Sequence, residues 1–195
     1  MQSTTENLPA QGRFQRLLTF LRASWRDYLL LLLVAGILVA LDQWTKSLVR
    51  TQIPLGQDWL PDWLTWLMPY ARVRHWYNSG AAFGLFQQGN LIFTVLAILI
   101  SGLILYYYPR LPREDWWMRV AMVLQFTGAI GNLIDRLRFG RVTDFISVGN
   151  FAVFNLADSC ITVGVGILIL GVYLKELAEK KKARLASEPG TGTDG

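Results

Sequence analysis

Residues 28–41 read YLLLLLVAGILVAL, a run with no charge and no polar face. A surface helix of a soluble bundle keeps a polar stripe on its outer side, and this one has none. A soluble bundle with long core helices is therefore set aside in favour of a membrane span. Three more uncharged blocks follow, at 91–108, 120–134 and 159–174. A spanning helix needs roughly 20 mostly apolar residues at about 1.5 Å of rise each. Only 91–108 approaches that length unaided. The first block reaches it by taking in Asp42 and Lys46, out to about residue 49. The third needs 116–119 at one end and Asp135 with Arg136 at the other. The fourth needs 156–158 in front or Lys175 behind. The expected fold is an all-α polytopic membrane protein with four transmembrane helices, at about 28–49, 90–108, 116–136 and 156–177.

The rest of the chain is arranged around these spans. Its 195 residues suit one compact unit. Residues 1–27 are expected to form a cytoplasmic extension, polar over 1–12 and then an amphipathic segment, 13–27, lying on the inner membrane surface. Residues 28–177 form the four-span domain and 178–195 a cytoplasmic polar tail. The segment 50–89 holds Pro54, Pro61 and Pro69 with Trp59, Trp63, Trp66 and Trp76, rings that favour the lipid–water interface. Alternation over 70–77 allows a short strand. The segment 137–155 is mixed, with Gly140 and Gly149 as turns. Gly164, Gly166 and Gly171 are expected to let the fourth helix approach a neighbour closely.

The net charge of +5 does not point to nucleic acid, because 12 of the 19 Lys and Arg flank the spans on one side. Enrichment of cytoplasmic loops in Lys and Arg then puts both termini inside. Cys160 is the single cysteine and His75 the single histidine. No intrachain disulfide is possible, and a Cys–His nucleophile has no local support, with His75 expected in a distant loop. Cys160 is read as a small buried residue at the head of the fourth helix. The first apolar block carries no cleavage site and reads as a retained anchor.

Ionisable groups within a membrane are costly, so their placement is informative. Asp42, Asp135, Arg136 and Asp158 all fall at span ends on one membrane face. Asn78, Asp144 and Asn155 lie in the two connections on that same face. Structural roles exist for several. Asp42 and Lys46 are four apart and can pair; Asn132 can bridge helices; Asn155 or Asp158 can cap the fourth helix. No Ser–His pair, metal-ligand spacing or phosphate-binding glycine loop is present, so neither a metal nor a cofactor is expected. Carboxylates remain. Two that share a site cannot both ionise easily, and such a pair can activate a water for peptide hydrolysis. By chemistry alone Asp135 is a third candidate partner for Asp144 or Asp158, although Arg136 beside it offers a cation that would keep it ionised. Ion transport is a second possibility, but acids gathered at one face fit it poorly. A scaffold or lipid binder explains the tryptophans and leaves the acids unexplained.

Five short motifs now come together: Asp42-Gln43-Trp44-Thr45-Lys46, Asn78-Ser79-Gly80-Ala81-Ala82-Phe83, Gly131-Asn132-Leu133-Ile134-Asp135-Arg136, Gly140-Arg141-Val142-Thr143-Asp144-Phe145 and Phe154-Asn155-Leu156-Ala157-Asp158. In this order, they resemble the signatures of lipoprotein signal peptidase, also called signal peptidase II. The resemblance covers about residues 28–177. It implies an aspartic endopeptidase of the bacterial inner membrane, with its active site near the outer leaflet. Its substrates would be prolipoproteins carrying diacylglyceryl on the cysteine after the cleavage site, cut just before that cysteine within membrane lipid. Asp144 and Asp158 would be catalytic. Asp42, Lys46, Asn78, Gly80, Asn132, Asp135, Arg136, Asn155 and Ala157 would shape the pocket or bind substrate. The resemblance also implies a small extracytoplasmic β-rich cradle between spans one and two.

Overall fold

The computed structural model describes residues 10–80 and 89–187, with side chains over 25–80 and 89–184. Four helices carry the fold: α1 Ala10–Gln52, α2 Asn90–Tyr107, α3 Trp116–Phe139 and α4 Leu156–Ser187. Three strands, β1 Asp58–Trp59, β2 Ala71–Asn78 and β3 Val142–Val148, form an antiparallel sheet in the order β1-β2-β3.

Among the described residues, three helical stretches are long and apolar enough to cross a membrane: Trp25–Gln52, Asn90–Arg110 and Leu156–Arg184. The expected third span, α3, is not among them. It is 24 residues long but is interrupted by Arg119, Gln125, Asn132, Asp135, Arg136 and Arg138. Its position explains the difference. α3 packs against α1, α2 and α4, so much of its surface meets protein. Ala121, Val123, Phe126, Thr127, Gly128, Ala129, Gly131, Asn132 and Asp135 are all buried along it, against only Ala97, Ser101 and Ile104 on α2. A helix enclosed by its neighbours has no need of an apolar exterior.

α1 shows the opposite economy. Leu29, Leu30, Leu32, Leu33 and Ile37 point outward, as lipid-facing residues should, while Leu31 and Ala35 are buried. The buried stripe continues at helical spacing through Asp42, Lys46, Val49 and Ile53. It is apolar at one end and charged at the other. The apolar end joins a core of Leu31, Ala35, Ile104, Tyr108, Val123 and Phe126.

Two boundaries differ from expectation. The segment 13–27 is not a separate surface helix, because α1 runs unbroken from Ala10. No glycine or proline lies between Arg13 and Ala35 to interrupt it. α4 continues ten residues beyond residue 177, supported by the Glu176–Lys180 pair at 2.6 Å. The polar stretch expected over 1–12 and the tail end beyond Ser187 lie outside the described residues, except for 10–12, which are helical; so do Ala81, Ala82 and Phe83 of the second motif.

The sheet is built from both connections. The strand expected over 70–77 forms as β2, but its principal partner, β3, comes from the α3–α4 connection. The cradle is therefore not confined to the connection between α1 and α2. Gly140 ends α3 at φ 68°, and Gly149 ends β3 at φ 51°, both conformations that favour glycine. His75 does not sit in a loop. It is buried on β2 with Nδ1 2.7 Å from the Ile53 carbonyl.

Close approach of α3 and α4 rests on Gly128, which was not foreseen, as well as Gly164 and Gly171. A Cβ at Gly128 would stand 2.4 Å from both the Ala157 carbonyl oxygen and Ile161 Cγ1. Gly164 lies against the Ala121 carbonyl and Gly171 against Trp117, while Gly166 meets nothing. Gly128→Ala is expected to cost at least about 2 kcal/mol, since a backbone oxygen cannot swing aside. Gly166→Ala is expected to be neutral. Thermal unfolding of the two variants in detergent checks the contrast.

Candidate active site

The site begins where the buried stripe of α1 turns polar. Lys46 Nζ lies 2.9 Å from Asp42 Oδ2 and 3.6 Å from Asp135 Oδ2, and all three side chains are 0% exposed. Two buried acids thus share one buried ammonium. Arg50, one turn further, lies 3.6 Å from Asp135 Oδ1 and donates to Thr143 Oγ1 at 2.9 Å. Asp135 is held by Lys46 and Arg50, not by Arg136 as the sequence suggested. Consecutive residues of a helix point about 100° apart, so Arg136 leaves on another face.

These acids act on the backbone around them. Asp42 Oδ1 accepts from the Ala157 amide at 3.0 Å, in the first turn of α4. Asp135 Oδ2 accepts from the Thr143 amide at 2.9 Å, immediately before Asp144. Gln43 Nε2 ties Asp42, the Gly131 carbonyl and Asp135 together at 3.0–3.2 Å. Gln43 and Arg50 were not picked out as site residues. Their signal was their position beside Asp42 and Lys46 on the inward face of α1.

Asn155 is the joint of the site. Its Oδ1 accepts from the Asp158 amide at 2.9 Å, and Asp158 Oδ2 accepts from the Asn155 amide at 3.1 Å. This reciprocal cap starts α4 and orients Asp158. The same Asn155 donates from Nδ2 to Asp144 Oδ1 at 2.7 Å and to Asn132 Oδ1 at 3.1 Å. Asn132 completes the circuit, donating to Asp158 Oδ1 at 2.7 Å and accepting from Lys46 at 3.0 Å. Asn155 reaches Asp144 because Phe154 forms a β-bridge to Ile146 just before it.

Asn78 approaches Asp144 from β2, donating at 3.1 Å to Oδ2, while its own Oδ1 accepts from the Gly80 amide. The register places Trp76 opposite Asp144 and Asn78 opposite Val142, after a bulge between Val73 and Trp76. Asn78 and Asp144 are thus diagonal neighbours on one face. The extra residue of the bulge is what turns Asn78 to that face, since strand side chains alternate.

Asp144 and Asp158 open into one cavity of about 630 Å³, together with Asn78, Gly80, Asn132 and Arg136. Its far wall is apolar, with Phe93, Leu96, Ile100, Ile161 and Val163. The candidate residues therefore fall into two sets. Asp42, Lys46, Asp135, Asn155 and Ala157 stand behind the cavity and position it; they do not line it. Arg136 crosses from α3 into the cavity, its guanidinium 5.4 Å from the Phe93 ring.

Burial, followed by the nearby charge of Asp158, pushes Asp144 up to about 7, against the opposing hydrogen bonds of Asn78 and Asn155 and the charge of Lys46. The folded protein thus holds this proton more tightly than the unfolded chain, whose carboxyl has the ordinary value of 3.8. Its contribution to stability is complete below that ordinary value and is lost as pH rises through about 7. Wild-type protein in detergent is expected to lose thermal stability between about pH 4 and about pH 7, and Asp144→Asn to flatten that slope. An unchanged slope in the variant would show that the acid is not held protonated.

The family described as Signal peptidase (SPase) II matches residues 34–174. A lipoprotein signal peptidase of Shouchella clausii is 39% identical over 155 residues, covering 78% of this chain and 98% of its own length. One from Mesorhizobium japonicum is 39% identical over 83% of this chain and 94% of its own. One from Pseudomonas putida is 35% identical over 88% and 95%. A solved bacterial membrane enzyme, determined by the in meso method at 2.3 Å, superposes with a TM-score of 0.69 at 31% identity, covering 77% of this chain and 90% of that one. A second, at 1.9 Å, gives 0.64 over 73% and 91%, also at 31% identity. Matched over most of its length in both sequence and fold, the chain belongs to the signal peptidase II family of membrane enzymes.

Proposed function

We propose that this protein is a four-span aspartic endopeptidase of the bacterial inner membrane. It removes signal peptides from prolipoproteins by cutting before their diacylglyceryl-modified cysteine. The observation that carries the reading is the convergence of Asp144 and Asp158 on one cavity, with Asn155 hydrogen-bonded to both. In the proposed reaction a water lies between the two carboxyl groups. The ionised aspartate takes a proton from that water as its oxygen attacks the scissile carbonyl carbon. The protonated aspartate gives its proton to the carbonyl oxygen. Collapse of the tetrahedral species returns a proton to the carbonyl-side aspartate and delivers the other to the departing amine. A carboxyl group raised to about 7, as Asp144 is, suits the proton-donating role near neutrality.

The apolar wall of the cavity suits the acyl chains of a lipidated cysteine, and its polar rim suits the peptide. Support for four crossings comes from the chain's threading. β2 follows α1, β3 follows α3, and the two strands pair, so the far ends of α1 and α3 meet on one side. With 24 residues, α3 extends about 36 Å, enough to cross a bilayer. The basic flanks support a cytoplasmic location for both termini, with the sheet and cavity then facing the outer leaflet.

The test uses purified protein with two synthetic precursors that differ only in diacylglycerylation of the cysteine. Cleavage before the lipidated cysteine alone is expected. Equal cleavage of both precursors, or none of either, would reject the substrate assignment.

A further inference from the structure

A second groove lies between α1 and α3 at the end of the bundle away from the sheet. It has a volume of about 580 Å³. Its floor is a pair of apolar stripes at helical spacing, Leu30 and Val34 on α1 facing Val120 and Leu124 on α3. Its mouth is basic: Arg26, Arg113 and Arg119 line it, with Asp27 as the one acid among its lining residues. The charges are unevenly matched. Arg119 is buried, ion-paired to Asp27, hydrogen-bonded to the Leu111 carbonyl at 3.2 Å and stacked over Tyr108. That leaves Asp27 largely committed, and Arg113 stands 3.9 Å from its other oxygen with a side chain 68% exposed. Arg26 is exposed, resting 5.5 Å from the Trp25 ring. Three guanidinium groups thus line a mouth that holds one carboxylate.

A basic mouth above an apolar floor matches one class of ligand, a molecule with an anionic head and acyl tails. From Arg26 to Val34 the groove runs about 12 Å along α1, which carries it from headgroup depth into the hydrocarbon. Trp116 lines the mouth, where an aromatic ring belongs at the interface. Basic pockets between transmembrane helices are a known form of anionic-headgroup recognition. We propose that this groove is a binding site for one anionic phospholipid of the leaflet opposite the active-site cavity. Its phosphate sits between Arg26 and Arg113, and one acyl chain lies along Leu30 and Val34. Arg119 and Asp27 hold the mouth open by pairing with each other. The proposal uses no residue of the active-site cavity and is independent of the cleavage reading.

Native mass spectrometry of the full chain released from detergent tests it, with phosphatidylglycerol and phosphatidylcholine of identical chains. Wild-type protein is expected to retain one phosphatidylglycerol, with about tenfold preference over the zwitterionic lipid. Arg26→Gln/Arg113→Gln is expected to abolish that preference. Lys180→Gln/Lys181→Gln, which removes equal charge from the end of α4, is expected to keep it. Equal loss in both double variants would overturn the site in favour of general charge attraction. Equal retention of the two lipids by wild type would also overturn it, as would displacement of phosphatidylglycerol by inorganic phosphate alone.

Discussion

Asp144→Asn and Asp158→Asn are each expected to lower cleavage of a lipidated precursor by at least about a thousandfold while the protein still folds and inserts. Asn keeps the shape of the carboxylate and removes its ability to take or give a proton. In the proposed reaction the two acids act on one water and form a unit, and effects within a unit do not add. The double variant should therefore be hardly slower than either single one. Single-turnover cleavage of a lipidated precursor peptide by the three variants measures this directly. Wild-type-like turnover by either single variant would remove that residue from the mechanism. A double variant slower than the singles by the product of their effects would mean that the two acids work separately. Asp135→Asn provides the contrast. Asp135 holds the Thr143 amide and pairs with Lys46 and Arg50 behind the cavity. Its loss should lower thermal stability together with turnover, whereas the two cavity acids should cost turnover far more than stability.

Lys46→Met carries the largest expected effect on stability, about 3–5 kcal/mol. Methionine fills much of the same volume, so packing is nearly conserved and the lost charge dominates. Lys46 is the buried counterion between Asp42 and Asp135, none of them exposed to solvent. After the substitution Asp135 still has Arg50 at 3.6 Å, but among the described residues no other salt bridge reaches Asp42. The stranded charge is therefore chiefly that of Asp42. Adding Asp42→Asn to Lys46→Met should recover more stability than adding Asp135→Asn. Thermal or denaturant unfolding in detergent distinguishes the pair. Equal recovery by both would show that the ammonium serves the two acids alike.

Much of the site was legible because its residues break a local rule. A charge inside an apolar run is costly wherever it is placed, so Asp42, Lys46, Asp135 and Asp158 announced themselves without coordinates. The i, i+4 pairing of Asp42 with Lys46 followed from helix geometry and is present at 2.9 Å. Other assignments needed neighbours. Asp135 and Arg136 looked like a pair because they are adjacent, yet a helix sends them to different faces. β3 escaped notice because 142–148 carries no clear alternation. Residues on both of its faces are buried, Asp144 toward the cavity and Thr143 toward Arg50 of α1. Gly128 gave no local signal at all. Its need for a missing Cβ exists only once Ala157 and Ile161 of another helix arrive against it.

The sequence by itself determined that the chain enters a membrane, where its apolar helices lie, and which acids are too costly to be accidental. Those properties follow from transfer of side chains out of water, which depends on composition and helical period alone. Only the tertiary structure decided which acids face the cavity and which stand behind it. It also decided that α3 is enclosed by its neighbours and that Asn155 joins Asp144 to Asp158. Those properties depend on distances between residues far apart in the chain, set by the β2–β3 register and by the close packing of α3 on α4.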